Sequence, residues 1–243
     1  MAAAPQSCDP HLDRFSFDYR LPHFEEALGR QRKIKIVTIG SSSTAGESDI
    51  IPFPHRLELG LRSSYPGRMI DVINRGIGGQ EAPEELSRFE CDVMIELPIL
   101  VIWQVGTNAI YHNSYQPPDI AGTVATGLSW LKGLPTDVIM MDLQYAPALF
   151  QDPHGNPDPQ QEAKTRQMVA LISAAARAAN VNVFRRFELM EHWVRVDKID
   201  WSALIASDNV HQTEFATRCA ANALIGVIKA RIGPVPGAPP PEA

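Results

Sequence analysis

The fold class is indicated first by the segment Ile34-Lys-Ile-Val-Thr-Ile-Gly-Ser-Ser-Ser-Thr-Ala-Gly46. In it, a β-branched run ends in hydroxyl residues that are bracketed by two glycines. Apolar residues stand on successive positions of the run rather than alternating, as expected of a strand covered on both faces. Similar runs follow at Ile70–Asn74, Leu100–Val105, Asp137–Asp142 and Val181–Phe184. The pattern predicts five buried strands.

Helical patterns separate these runs and follow the last one. They span Phe53–Ser64, Pro83–Glu90, Asp119–Lys132, Gln160–Asn180 and Glu214–Arg231. Strands that alternate with helices through short connections form an open parallel sheet with helices on both faces. The sequence therefore predicts an α/β fold, a three-layer α/β/α sandwich on a five-stranded parallel sheet. Ligands of such sheets bind beyond the carboxyl ends of the strands.

The chain has 243 residues and a formal net charge of −6, enough length for one sizeable core. The predicted organisation is a polar N-terminal arm over 1–32, one α/β domain over 33–232 and a Pro-rich tail over 233–243. The acidic balance disfavours nucleic acid or an anionic membrane as a partner. No run approaches the roughly 18 apolar residues that a membrane span needs. Oligomeric state is left open.

The start of the chain, residues 1–8, lacks the basic segment and apolar core of a secretory signal. It is typical of a cytoplasmic protein, or of a mature periplasmic or secreted form whose signal peptide was replaced by Met, and both stay open. The three cysteines, Cys8, Cys91 and Cys219, are too few for a disulfide framework and lack metal-ligand spacing. We interpret them as ordinary cysteines, with at least one free thiol in a monomer.

Four polar blocks stand where the predicted strands end or the last helix begins. They are Gly40–Gly46, Asn74-Arg-Gly-Ile-Gly-Gly79, Gln104-Val-Gly-Thr-Asn108 and Ser207-Asp-Asn-Val-His211. In order, they offer a hydroxyl at the sheet edge, glycines that let backbone N–H groups approach a ligand, an amide donor, and a carboxylate three residues before an imidazole. The first block is not a phosphate-binding P-loop, because no Gly-Lys-Ser/Thr follows it. Taken singly, each block is as typical of an ordinary capping turn.

The four blocks in this order resemble the SGNH hydrolases, also called the GDSL-type esterase/lipase superfamily, over about residues 34–231. The resemblance implies a flavodoxin-like strand order, 2-1-3-4-5. It also implies Ser42 as nucleophile, His211 as its general base and Asp208 as the carboxylate that orients His211. Ser41 and Ser43 stay competing candidates for the nucleophile.

The resemblance further implies an oxyanion hole formed by the backbone N–H groups of Ser42 and Gly79 and the side-chain amide of Asn108. Gly79 is preferred to Gly76 and Gly78 because it ends the turn that Asn74 begins. The match has departures. Ser41 stands where the family name has Asp, Ala109 where Asp often follows the Asn, and Gln212 where Pro commonly follows the His.

The predicted function is that of a carboxylic ester hydrolase acting on short acyl esters, an acetyl group on a carbohydrate in the first instance. The loops around 111–118 and 146–158 are polar and Pro-rich rather than apolar, which disfavours a long acyl chain. The alternatives are a long-chain thioesterase or lysophospholipase, an acyltransferase, and a non-catalytic module that binds a carbohydrate or nucleotide.

No metal or organic cofactor is expected, because the mechanism needs none and the histidines other than His211 form no ligand pair along the sequence. The charge clusters Glu25-Glu26 and Glu84-Glu85 are interpreted as solvated helix faces.

Overall fold

The computed structural model describes residues 8–46, 49–152 and 154–232. Its strands are β1 Lys33–Gly40, β2 Met69–Gly76, β3 Leu100–Gln104, β4 Asp137–Met141 and β5 Asn182–Phe184. They form one parallel sheet in the order β2-β1-β3-β4-β5, with Ile36 opposite Leu100 and Val37 opposite Ile73 in neighbouring strands. The predicted fold class and strand order are confirmed.

Eleven α-helices surround the sheet in the described part of the chain. They are α1 Pro22–Arg30, α2 Ser42–Ala45, α3 Phe53–Ser64, α4 Ala82–Ser87, α5 Phe89–Asp92, α6 Thr107–Tyr111, α7 Pro117–Leu131, α8 Pro159–Ala178, α9 Arg186–Arg195, α10 Trp201–Leu204 and α11 Glu214–Arg231. Helix α3 packs against α11, and α7 packs against α8. The strands and the inner faces of the helices share one hydrophobic core, in which β3 is buried at every position.

The sequence predicted the bounds of α3 and α11 correctly because both have clear end signals. A proline stands in the first turn of α3. The Thr213 hydroxyl accepts a hydrogen bond from the Ala216 N–H at the start of α11, and Lys229 and Arg231 occupy its last turn. The predicted helix Pro83–Glu90 is instead two short helices, since the chain turns at Arg88 (φ −112°, ψ 10°).

The described part of the N-terminal arm packs onto the domain. Phe15, Phe17 and Phe24 are buried in the common core, and the Phe24 N–H donates to Asp137 Oδ2 (2.8 Å). Burial raises the pKa of Asp137 to about 6, against the lowering effect of this hydrogen bond. The polar composition of residues 1–32 hid these aromatic side chains, because they recur at no regular spacing.

A disulfide joins Cys8 in the arm to Cys219 in α11, with 5.8 Å between their Cα atoms. Cys91 is a free, exposed thiol. Two of the three cysteines are thus paired, unlike the ordinary thiols expected from the sequence. Sequence spacing could not indicate the pair, since its members lie 211 residues apart. The Pro-rich tail over 233–243 and residues 1–7 lie outside the described residues.

No helix in the described ranges has the length and apolar character to cross a bilayer.

Candidate active site

Ser42 and His211 meet at the carboxyl end of β1. The chain leaves β1 at Gly40, and Ser41 precedes the short helix α2, whose first residue is Ser42. Ser42 Oγ lies 3.1 Å from His211 Nε2, and Ser42 is only 7% exposed. As the first helical residue, Ser42 has a backbone N–H without a partner inside the helix.

The neighbouring serines point their hydroxyls to glutamines instead. Ser41 Oγ donates to Gln104 Oε1 (3.0 Å), which also accepts from the Ser41 N–H and the Thr44 hydroxyl. Ser43 Oγ donates to Gln144 Oε1 (3.2 Å). Of the three serines, Ser42 is therefore the one whose hydroxyl contacts an imidazole.

Asp208 lies behind His211 on the turn before α11. Its Oδ2 is 2.6 Å from His211 Nδ1, and its Oδ1 accepts from the backbone N–H groups of Val210 and His211. Burial works to raise the pKa of Asp208, but these hydrogen bonds outweigh it and leave the pKa below its usual value. The carboxyl is therefore charged at neutral pH and fixes the orientation of the imidazole.

The contacts of Gln212 account for one departure from the SGNH pattern, the lack of a proline after His211. The residue is buried, its Oε1 accepts from Arg186 Nη1 (3.4 Å), and its amide donates to Met190 Sδ. The side chain thereby ties the residue after His211 to α9, so this position is held by contacts that a proline would not make.

The end of β2 supports α2, and the turn that follows presents Gly79. The Asn74 amide donates to the Ala45 carbonyl (3.2 Å). A Cβ on Gly76 would lie 2.2 Å from the Ala45 backbone nitrogen, so only glycine fits there. Gly79 is exposed with φ +80°, a left-handed conformation that glycine adopts without strain. Packing requires glycine at position 76, and backbone conformation favours it at position 79.

Asn108 sits in the first turn of α6, directly after β3, and is only 7% exposed. Its Nδ2 donates one hydrogen bond to the Gln80 carbonyl (2.9 Å), the residue after Gly79. The amide carries a second hydrogen that this contact does not use. Gly79 and Asn108 are thus tied together through the Gln80 carbonyl.

Sequence reasoning missed Glu81, which holds the loop that carries Asn108. Its Oε1 accepts from the N–H groups of Gly106 (2.7 Å) and Ala82 (2.9 Å), and its Oε2 accepts from the N–H of Ala109 (3.0 Å). Glu81 is almost fully buried, and that burial raises its pKa despite the three hydrogen bonds. The two carboxylate oxygens thus hold the backbone before Asn108, at Gly106, and after it, at Ala109.

The interpretation of Glu84-Glu85 as a solvated helix face is wrong for Glu85. This side chain is fully buried and accepts a hydrogen bond from Trp103 Nε1 (2.6 Å). Burial raises its pKa well above the usual value, and the charge of Glu81 adds to the effect. The sequence could not show this, because helices α4 and α5 are too short to display a reliable apolar face.

Gln144 and Arg186 are two further buried polar side chains, and they connect Ser43 to the loop that carries His211. The Gln144 side chain accepts from Ser43 and from Arg186 Nη2 (3.0 Å), and its amide donates to the Val210 carbonyl (3.0 Å). Arg186 is fully buried, which lowers its pKa to about 10, and its guanidinium also donates to the Asp142 carbonyl. Gln144 thus couples the α2 block to the loop that holds His211. The sequence could not indicate which of the two adjacent arginines, Arg185 or Arg186, is buried.

One cavity adjoins the Ser42–His211 pair, and a second lies next to Asp208. One, of about 20 Å³, is lined by Ser42, Ser43, Gly46, Ile50, Pro52, His211, Gln212 and Thr217. The other, an open groove of about 740 Å³, reaches Asp208 and Asn209 and includes Tyr111, Gln151 and Asp158. The small cavity has room for about one water-sized or methyl-sized group. The arrangement therefore offers a hydroxyl beside an imidazole, a narrow space next to it and a wide polar groove nearby.

Two of the other histidines, scattered along the sequence, lie next to each other in the fold. His11 and His192, far apart in sequence, lie with ring centroids 4.3 Å apart, and Asp197 lies beside them. None of the three belongs to the Ser42 site.

Glu81→Gln tests whether this residue positions Asn108. A glutamine has a single acceptor oxygen and would turn its NH2 group toward backbone donors, so the loop over 106–109 should shift. If Asn108 is the oxyanion donor that the resemblance implies, kcat for a simple ester should fall about tenfold, less than the 10²–10³ cost of removing such a donor outright. The change in KM should be small. Steady-state kinetics on both parameters measures this.

The matched control is Glu81→Gln introduced into Asn108→Ala. If Glu81 acts through Asn108, the second substitution should leave kcat nearly unchanged, because the group it positions is already gone. An equal loss of kcat in both backgrounds would show that Glu81 does not act through Asn108.

Comparison with known proteins identifies the family of the chain. A model of a family described as the non-GDSL lipase-like family matches residues 7–233. Among curated proteins, none matches the chain.

Several solved structures share the fold. Axe2, an acetylxylan esterase from Geobacillus stearothermophilus, superposes with a TM-score of 0.66 at 20% identity, covering 80% of this chain and 94% of Axe2. LAE5, an alpha/beta hydrolase enzyme from the metagenome of Lake Arreo, Spain, gives 0.67 at 17% identity, covering 82% and 96%. At these identities the likeness shows the fold alone.

A catalytic mutant of Axe2 in which a serine is replaced by alanine also matches, with a TM-score of 0.68 at 20% identity and the same coverage of 80% and 94%. Two further catalytic mutants replace a histidine and an aspartate, and the aspartate precedes the histidine by three residues in Axe2.

Proposed function

This chain belongs to the non-GDSL lipase-like family, and we propose that it is a serine ester hydrolase whose catalytic triad is Ser42, His211 and Asp208. The observation that carries the proposal is the continuous contact from Asp208 through His211 to Ser42, at 2.6 and 3.1 Å. A nucleophile within reach of a base that a third group orients is the arrangement that covalent catalysis requires. The finer SGNH label rests on the four sequence blocks, and Ser41 in place of Asp agrees with a family described as non-GDSL.

In the proposed mechanism, His211 removes the Ser42 proton as the hydroxyl attacks an ester carbonyl. Asp208 holds the tautomer that has its proton on Nδ1 and stabilises the imidazolium that forms. His211 then gives the proton to the leaving alcohol, which departs and leaves an acyl-serine. Water, deprotonated by His211, releases the acid and restores Ser42.

The developing oxyanion would be stabilised by the N–H groups of Ser42 and Gly79 and by the free hydrogen of the Asn108 amide. Preorganised donors of this kind act without reorganising during the reaction. The link from Asn108 to the Gln80 carbonyl and the clamp of Glu81 on the same loop support this role. Both contacts fix the amide before substrate arrives.

We further propose acetyl esters of carbohydrates as the substrate class. The cavity of about 20 Å³ next to Ser42 and His211 suits the methyl of an acetyl group and excludes a long acyl chain. The wide polar groove beyond Asp208 suits a hydroxyl-rich leaving group such as a sugar. Axe2, which shares the fold, is an acetylxylan esterase. The long-chain alternatives would need an apolar groove instead.

Hydrolysis of p-nitrophenyl esters of increasing acyl length tests this substrate class. We expect kcat/KM to fall from acetyl to butyryl by about tenfold or more, as two methylenes no longer fit the small cavity. Octanoate should react poorly. A long-chain thioesterase or lysophospholipase would give the reverse order. A non-catalytic binding module would give no turnover that depends on Ser42.

A further inference from the structure

His11, His192 and Asp197 bring three metal-ligating side chains together outside the Ser42 site. His11 Nε2 lies 2.7 Å from Asp197 Oδ2, and His192 Nε2 lies 3.9 Å from Asp197 Oδ1. All three donor atoms lie within 4.8 Å of one another. The carboxylate therefore faces both imidazoles, with one oxygen toward each.

These separations suit one small cation. Zinc binds imidazole nitrogen and carboxylate oxygen at about 2.0–2.2 Å, so two of its tetrahedral ligands lie about 3.4 Å apart. In the structure, the distance of 2.7 Å ends on Asp197 Oδ2 and that of 3.9 Å on Oδ1, and one ligand atom from each of the three residues lies within 4.8 Å of the others. Small rotations of the side chains would bring the three donors to a common centre, and water would complete the four ligands.

The backbone already holds the three ligands in place. His192 lies in the last turn of α9, and its carbonyl accepts from the N–H groups of Val196 and Asp197, which closes the helix beside it. On the other side, Trp193 Nε1 donates to the Asp9 carbonyl (2.7 Å), two residues before His11. The disulfide at Cys8 fixes the same part of the arm. A cation would thus meet ligands that folding has already brought together.

The three side chains are only 13–25% exposed, so a bound ion would be partly shielded from water. Asp9 Oδ1 lies 3.9 Å from His11 Nδ1, on the side of the ring opposite the donor nitrogen. At that distance Asp9 does not hydrogen-bond the ring, and its Oδ1 accepts the His11 backbone N–H instead (2.8 Å), which holds the backbone of His11 in place.

We propose that His11, His192 and Asp197 bind one zinc ion, which fastens the N-terminal arm to α9. The ion would replace the hydrogen bond between His11 and Asp197 and bring in His192, whose Nε2 is too far from the carboxylate for a hydrogen bond. Sequence separation hid the site, because His11 and His192 lie on the arm and on α9, which only the folded chain brings together.

The test is zinc binding to chelator-treated full-length protein by isothermal titration calorimetry, with Mg²⁺ as the comparison ion. We expect one zinc per chain, no measurable Mg²⁺, and at least about tenfold weaker zinc binding in His192→Ala and in Asp197→Asn. His11→Ala removes the ligand on the N-terminal arm and should weaken zinc binding in the same way. A rise in Tm of roughly 5 °C at zinc concentrations a hundred times the Kd should accompany binding and be absent from these variants.

Two controls exclude other zinc sites. His55→Ala removes an exposed histidine from α3, and His211→Ala removes the imidazole beside Asp208. Both should bind zinc like the unchanged protein. The proposal is overturned if the unchanged protein binds no zinc, if His192→Ala and His11→Ala bind it undiminished, or if binding is lost in His211→Ala. In any of these cases His11 and Asp197 form a hydrogen bond only.

Discussion

Ser42→Ala is expected to lower kcat for acetyl ester hydrolysis by about 10⁶-fold, the scale of loss when a triad serine is removed. Covalent attack needs the hydroxyl, and alanine leaves no other nucleophile beside His211. The fold should stay intact, because the only side-chain hydrogen bond of Ser42 in the described structure goes to His211. Steady-state kinetics, with Tm as the check on folding, measures both.

Ser41→Ala and Ser43→Ala are the matched controls, since they change the same group one position away. Each removes a hydrogen bond to a glutamine and should cost about 1 kcal/mol of stability while keeping most of the activity. Full activity in Ser42→Ala, or its loss only in Ser43→Ala, would show that another residue is the nucleophile.

Asp208→Asn is expected to lower kcat by about 10⁴-fold, because an amide cannot hold the His211 tautomer that accepts the Ser42 proton. The pH profile gives an independent measure. Hydrogen bonds keep the pKa of Asp208 below its usual value, so this carboxylate stays charged throughout the range in which an imidazole titrates. Activity of the unchanged protein should therefore rise with pH in a single step and then stay level, because Asp208 adds no second step there.

Loss of the negative charge in Asp208→Asn disfavours the imidazolium, so the remaining activity should begin its rise at lower pH. His211→Ala should lose about as much activity as Ser42→Ala, and combining the two should cost little more, since the triad acts as one unit. Multiplicative losses, or an unchanged pH profile in Asp208→Asn, would contradict a role of Asp208 through His211.

The five strands, the four longest helices, the fold class and the four blocks at the ends of β1, β2, β3 and before α11 could all be predicted from the sequence. These features are local. Successive apolar positions mark buried strands, and a proline near the start of α3 or a capping threonine before α11 marks a helix end. Each can be read within a few residues, so each could be predicted.

Local sequence patterns did not predict the buried contacts that a few irregularly spaced residues make. The aromatic side chains of the arm show no periodicity, yet Phe15 and Phe24 are buried in the core. Glu85 resembles any charged residue of a helix, yet it is fully buried beneath Trp103 Nε1. Burial of single side chains like these depends on what packs over them, which composition does not record.

Contacts between residues far apart in the sequence could not be predicted, and the folded structure was needed to find them. Of three adjacent serines, it directs the Ser42 hydroxyl to His211 and the other two hydroxyls to Gln104 and Gln144. It also placed Glu81 across the loop of Asn108, paired Cys8 with Cys219, and brought His11 to His192. The physical reason is that a side chain's role at such a site depends on distances between atoms far apart in the chain, and packing of the whole core sets those distances.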